Sequence, residues 1–128
     1  MAGLTVLDAS ILLAHFDDTD LHADAAEVIL AEADELAAST ITLAEVLVGT
    51  ARVGRLDEQA QALSELAISE VPVGPGSAAQ LARLRAETGL RMPDCCVLHA
   101  ALTAGADALA TRDEQLARAA AARGLETP

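Results

Sequence analysis

Four carboxylates, those of Asp8, Glu45, Asp94 and Asp113, stand where the chain is expected to pass into a helix, at the turn itself or one helical turn inside it. Asp8 ends the apolar run Leu4-Thr5-Val6-Leu7. Glu45 follows the run from Ala37 to Ile41, Asp94 follows Arg91-Met92-Pro93, and Asp113 closes Ala108-Leu109-Ala110-Thr111-Arg112. In a parallel α/β sheet such positions share one edge, outside the carboxyl ends of the strands, where ligand sites form. Four negative charges gathered there repel one another unless cations lie among them. Carboxylate oxygens are hard donors that suit Mg²⁺, with Mn²⁺ as a substitute. Phosphodiester cleavage needs this kind of cluster, because charge builds on both the attacking and the leaving oxygen. Two cations roughly 3.5–4 Å apart stabilise both and activate a water. Singly, each acid has a duller role. Asp8 suits a helix cap, Glu45 completes a Thr42-x-x-Glu45 capping box, and Asp94 beside Pro93 complements a helix dipole, as Asp113 could also do. Thr111-x-x-Glu114 is a second formal capping box. The joint recurrence at one edge is what these single roles leave unexplained.

The elements that would position the acids alternate. A short strand at Leu4–Leu7 leads into a brief helix with Ser10 as its cap. After the polar loop Asp17-Asp18-Thr19-Asp20, a helix runs from about His22 to Glu35, followed by a strand at Leu36–Thr40. Helices are expected at Thr42–Ala51 and Asp57–Leu66, then a strand at Ile68–Val73 and a turn at Gly74-Pro75-Gly76. A helix from Ser77 to Glu87 stops near Gly89, and Pro93 opens the helix Asp94–Ala104. A strand at Ala106–Ala110 and a helix at Asp113–Arg123 follow. Residues Leu125–Pro128 add at most one very short strand. Strands alternating with helices imply parallel pairing. No internal repeat, low-complexity tract or linker interrupts the 128 residues, which suit one domain spanning 1–128.

The composition fits this architecture. Apolar residues make up 52% of the chain but aromatic residues only 1%, so the core must be built of Leu, Val, Ile and Ala. The net charge is -12, from 20 acids against 8 bases, and every base is arginine. That balance argues against nonspecific nucleic-acid binding through a broad basic surface and suits a basic protein partner. It leaves open nucleic acid at a metal site, where bound cations reverse the local sign. Cys95 and Cys96 are adjacent and imply no disulfide framework, which fits a reducing, cytoplasmic setting. The start of the chain lacks the pattern of a signal peptide, and no apolar run approaches the length of a membrane span.

Four segments together carry a family likeness: Val6-Leu7-Asp8-Ala9-Ser10, Leu43-Ala44-Glu45-Val46, Pro93-Asp94 with its apolar helix, and Ala110-Thr111-Arg112-Asp113. They resemble the PIN-domain ribonucleases, and within them the VapC-type toxins of type II (VapBC) toxin–antitoxin pairs. The likeness runs in order along essentially the whole chain. It implies a PIN-like three-layer α/β/α sandwich with a central, mainly parallel sheet of four to five strands. It further implies Mg²⁺- or Mn²⁺-dependent endonucleolytic cleavage of RNA, inhibition by a cognate antitoxin, and a homodimer. A homodimer also agrees with an apolar helix face carrying Leu43, Val46 and Leu47. The family's acidic quartet falls on Asp8, Glu45, Asp94 and Asp113. Its small hydroxyl residues fall on Ser10 and Thr111, where they would orient a bound water or a ligand carboxylate. Arg91 and Arg112 flank two of the acids and are candidates for contact with substrate phosphates. Cys95, Cys96 and His99 stand where the family usually has small apolar residues; the cysteines read as buried small hydrophobes and His99 as a satisfied or exposed histidine, rather than as a soft-metal site.

Other readings fail on specific residues. A receiver domain needs a lysine beside its acidic pocket, and the chain has none. A haloacid-dehalogenase-type phosphatase needs Asp-x-Asp after the first strand, but position 10 is serine. Gly74-Pro75-Gly76 lacks the spacing of a phosphate loop. The remaining rival is a catalytically silent PIN-fold module that keeps the partner surface alone.

Overall fold

A computed structural model describes residues 3–128. The elements are β1 (Leu4–Leu7), α1 (Ala9–Phe16), α2 (Ala23–Glu32), β2 (Glu35–Ser39), α3 (Thr40–Arg52), α4 (Leu56–Glu65), β3 (Ser69–Val71), α5 (Ser77–Thr88), α6 (Met92–Thr103), β4 (Ala108–Ala110) and α7 (Glu114–Ala121). The four strands form one parallel sheet in the order β3-β2-β1-β4. The expected fifth strand is reduced to a single bridge between Ala108 and Glu126.

Side chains alternate across a strand, so each strand feeds two cores. Val6 of β1 and Leu109 of β4 pack with α5, α6 and α7, through residues such as Leu84, Leu98 and Leu116. Leu7 and Ala110 pack on the other face with α1 to α4, through Ile11, Leu12, Val46 and Leu63. These are the outer layers of a three-layer sandwich. Short side chains on the sheet, such as fully buried Ala38, Ala108 and Ala110, let the helices sit close. Helix α6 is buried without a break from Cys95 to Ala101, which is why it shows no polar face. Cys95 and Cys96 are packing residues there, and burial pushes both thiols above their ordinary range. The face of α3 carrying Leu43, Val46 and Leu47 is packed into the second core rather than left bare. It therefore gives no support to a homodimer.

Several boundaries differ from the sequence reading for local reasons. The cap of α1 is Asp8, which accepts the Ala9 N–H, and Ser10 lies inside the first turn. The Thr42–Glu45 capping box does not form. Ser39 caps α3 by accepting the Ile41 N–H at 3.2 Å, which ends β2 one residue early and leaves Thr42 inside the helix. The Thr111–Glu114 box does not form either, because Asp113 accepts from both Gln115 N and Leu116 N. Strand β3 stops at Val71, ahead of Pro72, which has no N–H to give to a ladder. Among the described residues, no helix is long and apolar enough to cross a membrane.

Candidate functional site

The carboxyl edge is built around Asp8. Its backbone N–H donates to the Ala110 carbonyl at 3.0 Å, which extends the β1–β4 ladder by one step. The residue is 9% exposed, and its side chain accepts three hydrogen bonds. Oδ1 accepts from Ala9 N at 2.8 Å. Oδ2 accepts from Ser10 Oγ at 3.1 Å and from Thr111 Oγ1 at 2.7 Å. The two hydroxyls are themselves fixed. Ser10 Oγ accepts from Arg112 N at 3.1 Å, and Thr111 Oγ1 accepts from Asp113 N at 3.0 Å. Ser10 and Thr111 thus clasp the ends of β1 and β4 together and lock one carboxylate in orientation.

Asp113 caps α7 with Oδ1 and leaves Oδ2 without a donor among the described residues. Glu45 projects from α3, nearly two turns after its cap Ser39. Asp94 reaches the edge by a different route from the other three, because no strand precedes it. The antiparallel return from α5 starts α6 beside the strand ends, and Asp94 sits in its first turn. Its side chain is only 13% exposed.

Electrostatics tie the four together. Burial raises the Asp94 carboxyl above its ordinary 3.8, and the charges of Asp8 and Asp113 raise it further. Partial desolvation by neighbouring groups raises Glu45 above 4.5, and Asp8 and Asp94 add to the effect. Glu45 is nonetheless exposed by surface area; solvent screens its share of this repulsion. Arg91 opposes both shifts, through a loose contact of 3.9 Å to Asp94. Arg112 is exposed at the same edge and has no ion-pair partner among the described residues.

The structure therefore gathers all four predicted acids, with Ser10, Thr111, Arg91 and Arg112 around them. As they stand, no group of three or more Asp, Glu, His or Cys side chains among the described residues is placed to hold a metal ion together. The donor set still fits Mg²⁺ or Mn²⁺, since Mg²⁺ commonly takes one or two carboxylates and keeps its waters. Neither Glu45 nor Asp94 accepts a hydrogen bond from a described residue, so their lone pairs are uncommitted. Beside Glu45 lies a cleft of about 360 Å³ lined by Leu13, Phe16, Asp17, Asp20, Val46 and Gly49. A roomier cavity lies elsewhere, on the α5–α6 face, and none of the four acids lines it. His99, read from the sequence as a satisfied or exposed histidine, is buried and lines that cavity with Gln80 Oε1 at 2.8 Å from its Nε2.

Solved structures share this arrangement of elements. A toxin–antitoxin complex from Klebsiella pneumoniae matches at 27% identity with a TM-score of 0.71, over 85% of this chain and 86% of that one. VapC20 of Mycobacterium tuberculosis, a sarcin–ricin-loop-cleaving toxin, matches at 15% identity with a TM-score of 0.75, over 90% of this chain and 94% of that one. FitAcB of Neisseria gonorrhoeae matches at 18% identity with a TM-score of 0.71, over 96% and 95%. The last two show likeness of fold alone. No curated protein matches the chain. Residues 5–122, from the first strand through the last helix, match the PIN domain model, and the chain belongs to the PIN domain family.

Proposed function

We propose that this protein is an Mg²⁺- or Mn²⁺-dependent endoribonuclease and the toxin of a toxin–antitoxin pair. The observation that carries the reading is the convergence of Asp8, Glu45, Asp94 and Asp113 at one sheet edge, close enough to raise the Glu45 and Asp94 carboxyls. The membership of the PIN domain family agrees with it. Asp8, with Glu45, Asp94 and Asp113, would hold the cation. When bound, the cation supplies charge neutralisation for the scissile phosphate and an acidified water. The chain's own residues do the positioning. Ser10 and Thr111 hold Asp8 Oδ2 in one direction, so this carboxylate does not reorganise as substrate arrives. Asp113 keeps one oxygen on its helix and offers the other to the site. Arg91 and Arg112 rim the edge as exposed guanidiniums, suited to bidentate contact with the flanking phosphates of an RNA strand.

The partner in this reading is a basic antitoxin. The net charge of -12 steers a cationic protein toward this surface. The cleft beside Glu45 offers an apolar floor, from Leu13, Phe16 and Val46, rimmed by Asp17 and Asp20. A partner segment with apolar anchors and an arginine would fill it and reach Asp8, Asp94 or Asp113, in competition with the cation. The toxin–antitoxin complex of Klebsiella pneumoniae, at 27% identity, supports this partner class. A homodimer and a cytoplasmic setting belong to the same proposal, and light scattering at micromolar concentration tests the dimer.

The test is incubation of purified, antitoxin-free protein with total RNA and Mg²⁺, followed by mapping of the cut ends. Cleavage is expected to need the cation and to vanish in Asp8→Asn and Asp94→Asn, while the circular dichroism melt stays cooperative. Cleavage that persists in excess chelator or in both variants overturns the assignment. Failure of the intact chain to bind Mn²⁺ at all would leave the silent binding module as the better account.

A further inference from the structure

We infer that a cavity of about 570 Å³ between α5 and α6 is a binding site for a small organic phosphate of nucleotide size. The inference goes beyond the acidic edge, since none of its four acids lines this cavity. It starts from how α5 begins. The chain leaves β3 through Pro72-Val73-Gly74-Pro75-Gly76. Gly76 occupies the N-cap at φ 86 and offers no side chain to cap the helix. The amides of Ala78 and Ala79 find no acceptor among the described residues. An uncapped end of a 12-residue helix carries partial positive charge and attracts anions.

A helix end alone does not make a site, but Ser77 adds an independent signal. It is 7% exposed and lines the cavity. Its hydroxyl has no hydrogen-bond partner among the described residues. It is not sealed from solvent, unlike the unpartnered hydroxyls of Thr5 and Thr42. The Ser77 Oγ therefore opens toward the cavity, a polar group in a nearly buried residue with its hydrogen bond unmade. Such a hydroxyl is free to donate to an anion held in the space before it.

The same wall continues with charge. Arg83 lies about two turns further along α5, is exposed, and has no carboxylate partner among the described residues. The one acid in the lining, Glu87, is engaged by Arg123 at 3.0 Å. Arg83 thus puts an unpaired positive charge on the cavity wall of a protein of net charge -12. Opposite them, His99 is 5% exposed, and its Nε2 stands 2.8 Å from Gln80 Oε1 and 3.4 Å from Thr103 Oγ1. Pro75, Leu84 and Leu102 supply apolar walls. A phosphate would lie against Ser77 and Arg83, and a flat organic moiety would lie against the apolar walls with its polar edge on the His99–Gln80 pair. The volume falls within the usual range of ligand sites, about 300–1,000 Å³.

The test is calorimetric titration of the purified chain in the absence of divalent cations, with adenosine monophosphate and, separately, inorganic phosphate. ¹⁵N chemical-shift perturbation locates any binding. Saturable binding of the nucleotide is expected, tighter than that of inorganic phosphate, with shifts at Ser77, Gln80 and His99. Arg83→Gln and Ser77→Ala are expected to weaken it by about tenfold each, the loss of one contact to a charged group. Arg83 is exposed, so its replacement leaves folding intact. The proposal falls if the nucleotide gives no saturable heat, or if both variants bind as tightly as the parent. It falls equally if inorganic phosphate binds as tightly as the nucleotide, or if the shifts map to Asp8 and Glu45.

Discussion

Replacing Thr111 with valine tests the clasp that organises the acidic edge. The substitution keeps the shape and removes a hydroxyl that donates to Asp8 Oδ2 at 2.7 Å and accepts from Asp113 N at 3.0 Å. A hydrogen bond to a charged group contributes about 1.5–3 kcal/mol and a neutral one about 1 kcal/mol. Asp8 keeps its bonds to Ser10 and Ala9, and Thr111 is half-buried, so water recovers part of the loss. The net expectation is a destabilisation of about 2 kcal/mol. With unfolding entropy of roughly 2.1 cal/mol/K per residue, a chain of 128 residues loses about 7 °C of melting temperature. The chain has no Trp or Tyr and a single Phe, so far-ultraviolet circular dichroism is the appropriate probe. Thr111→Ser retains the hydroxyl and should recover most of the loss. Thr111→Val should also weaken Mn²⁺ binding, because Asp8 then rotates more freely. A Thr111→Val protein melting within about 1 °C of the parent, or a Thr111→Ser protein equally destabilised, would refute the clasp.

Other expectations follow from the same geometry. Glu45 and Asp94 have raised carboxyls, so the folded metal-free protein binds protons more tightly than the unfolded chain. Their contribution to stability is complete below about pH 4 and is lost as pH rises through their folded-state values, above the ordinary 4.5 and 3.8. Urea titrations across pH should show that fall, and Glu45→Gln with Asp94→Asn should flatten it. Leu98→Ala, at a fully buried position of α6, should cost about 2–5 kcal/mol by urea denaturation. Gly3→Ala should cost about 1–3 kcal/mol, because Gly3 has φ +94 and the new Cβ would lie 2.1 Å from the Asp107 carboxylate that anchors Leu4 N.

The alternation of strand and helix was legible because it depends on apolar runs and their punctuation, both local. Leu4–Leu7 is a strand in sequence and structure alike, and Gly89 ends α5 as expected, in a left-handed conformation. The acids were legible as candidates for a different reason: three of them follow strands, and parallel pairing alone brings strand ends together. Asp94 shows the limit of that logic. It reaches the edge only because α5 and α6 form a hairpin, a tertiary choice that no local pattern encodes. The caps were misread wherever two hydroxyls or carboxylates competed. Thr42 looked like the cap of α3, but Ser39 stands where the backbone is still extended, and it takes the role. The face of α3 with Leu43 and Val46 looked bare because α1 and α4, which cover it, are separate in sequence. The α5–α6 cavity left no signal, since Ser77, Arg83 and His99 meet only through packing.

The bond between Thr111 and Asp8 spans 103 residues, nearly the length of the chain. Strand β1 leaves the ribosome well ahead of β4, since Asp8 precedes Thr111 by 103 residues. At synthesis rates of about 5–20 residues per second, β1 waits roughly 5–20 s for that neighbour. Through that interval Asp8 has neither Thr111 to orient it nor Asp113 beside it. An unfinished chain therefore lacks the assembled edge however well its first half folds, and chains cut short before β4 never acquire it. Under the proposed function, the chain therefore stays inactive until β4 has been translated and has closed against β1.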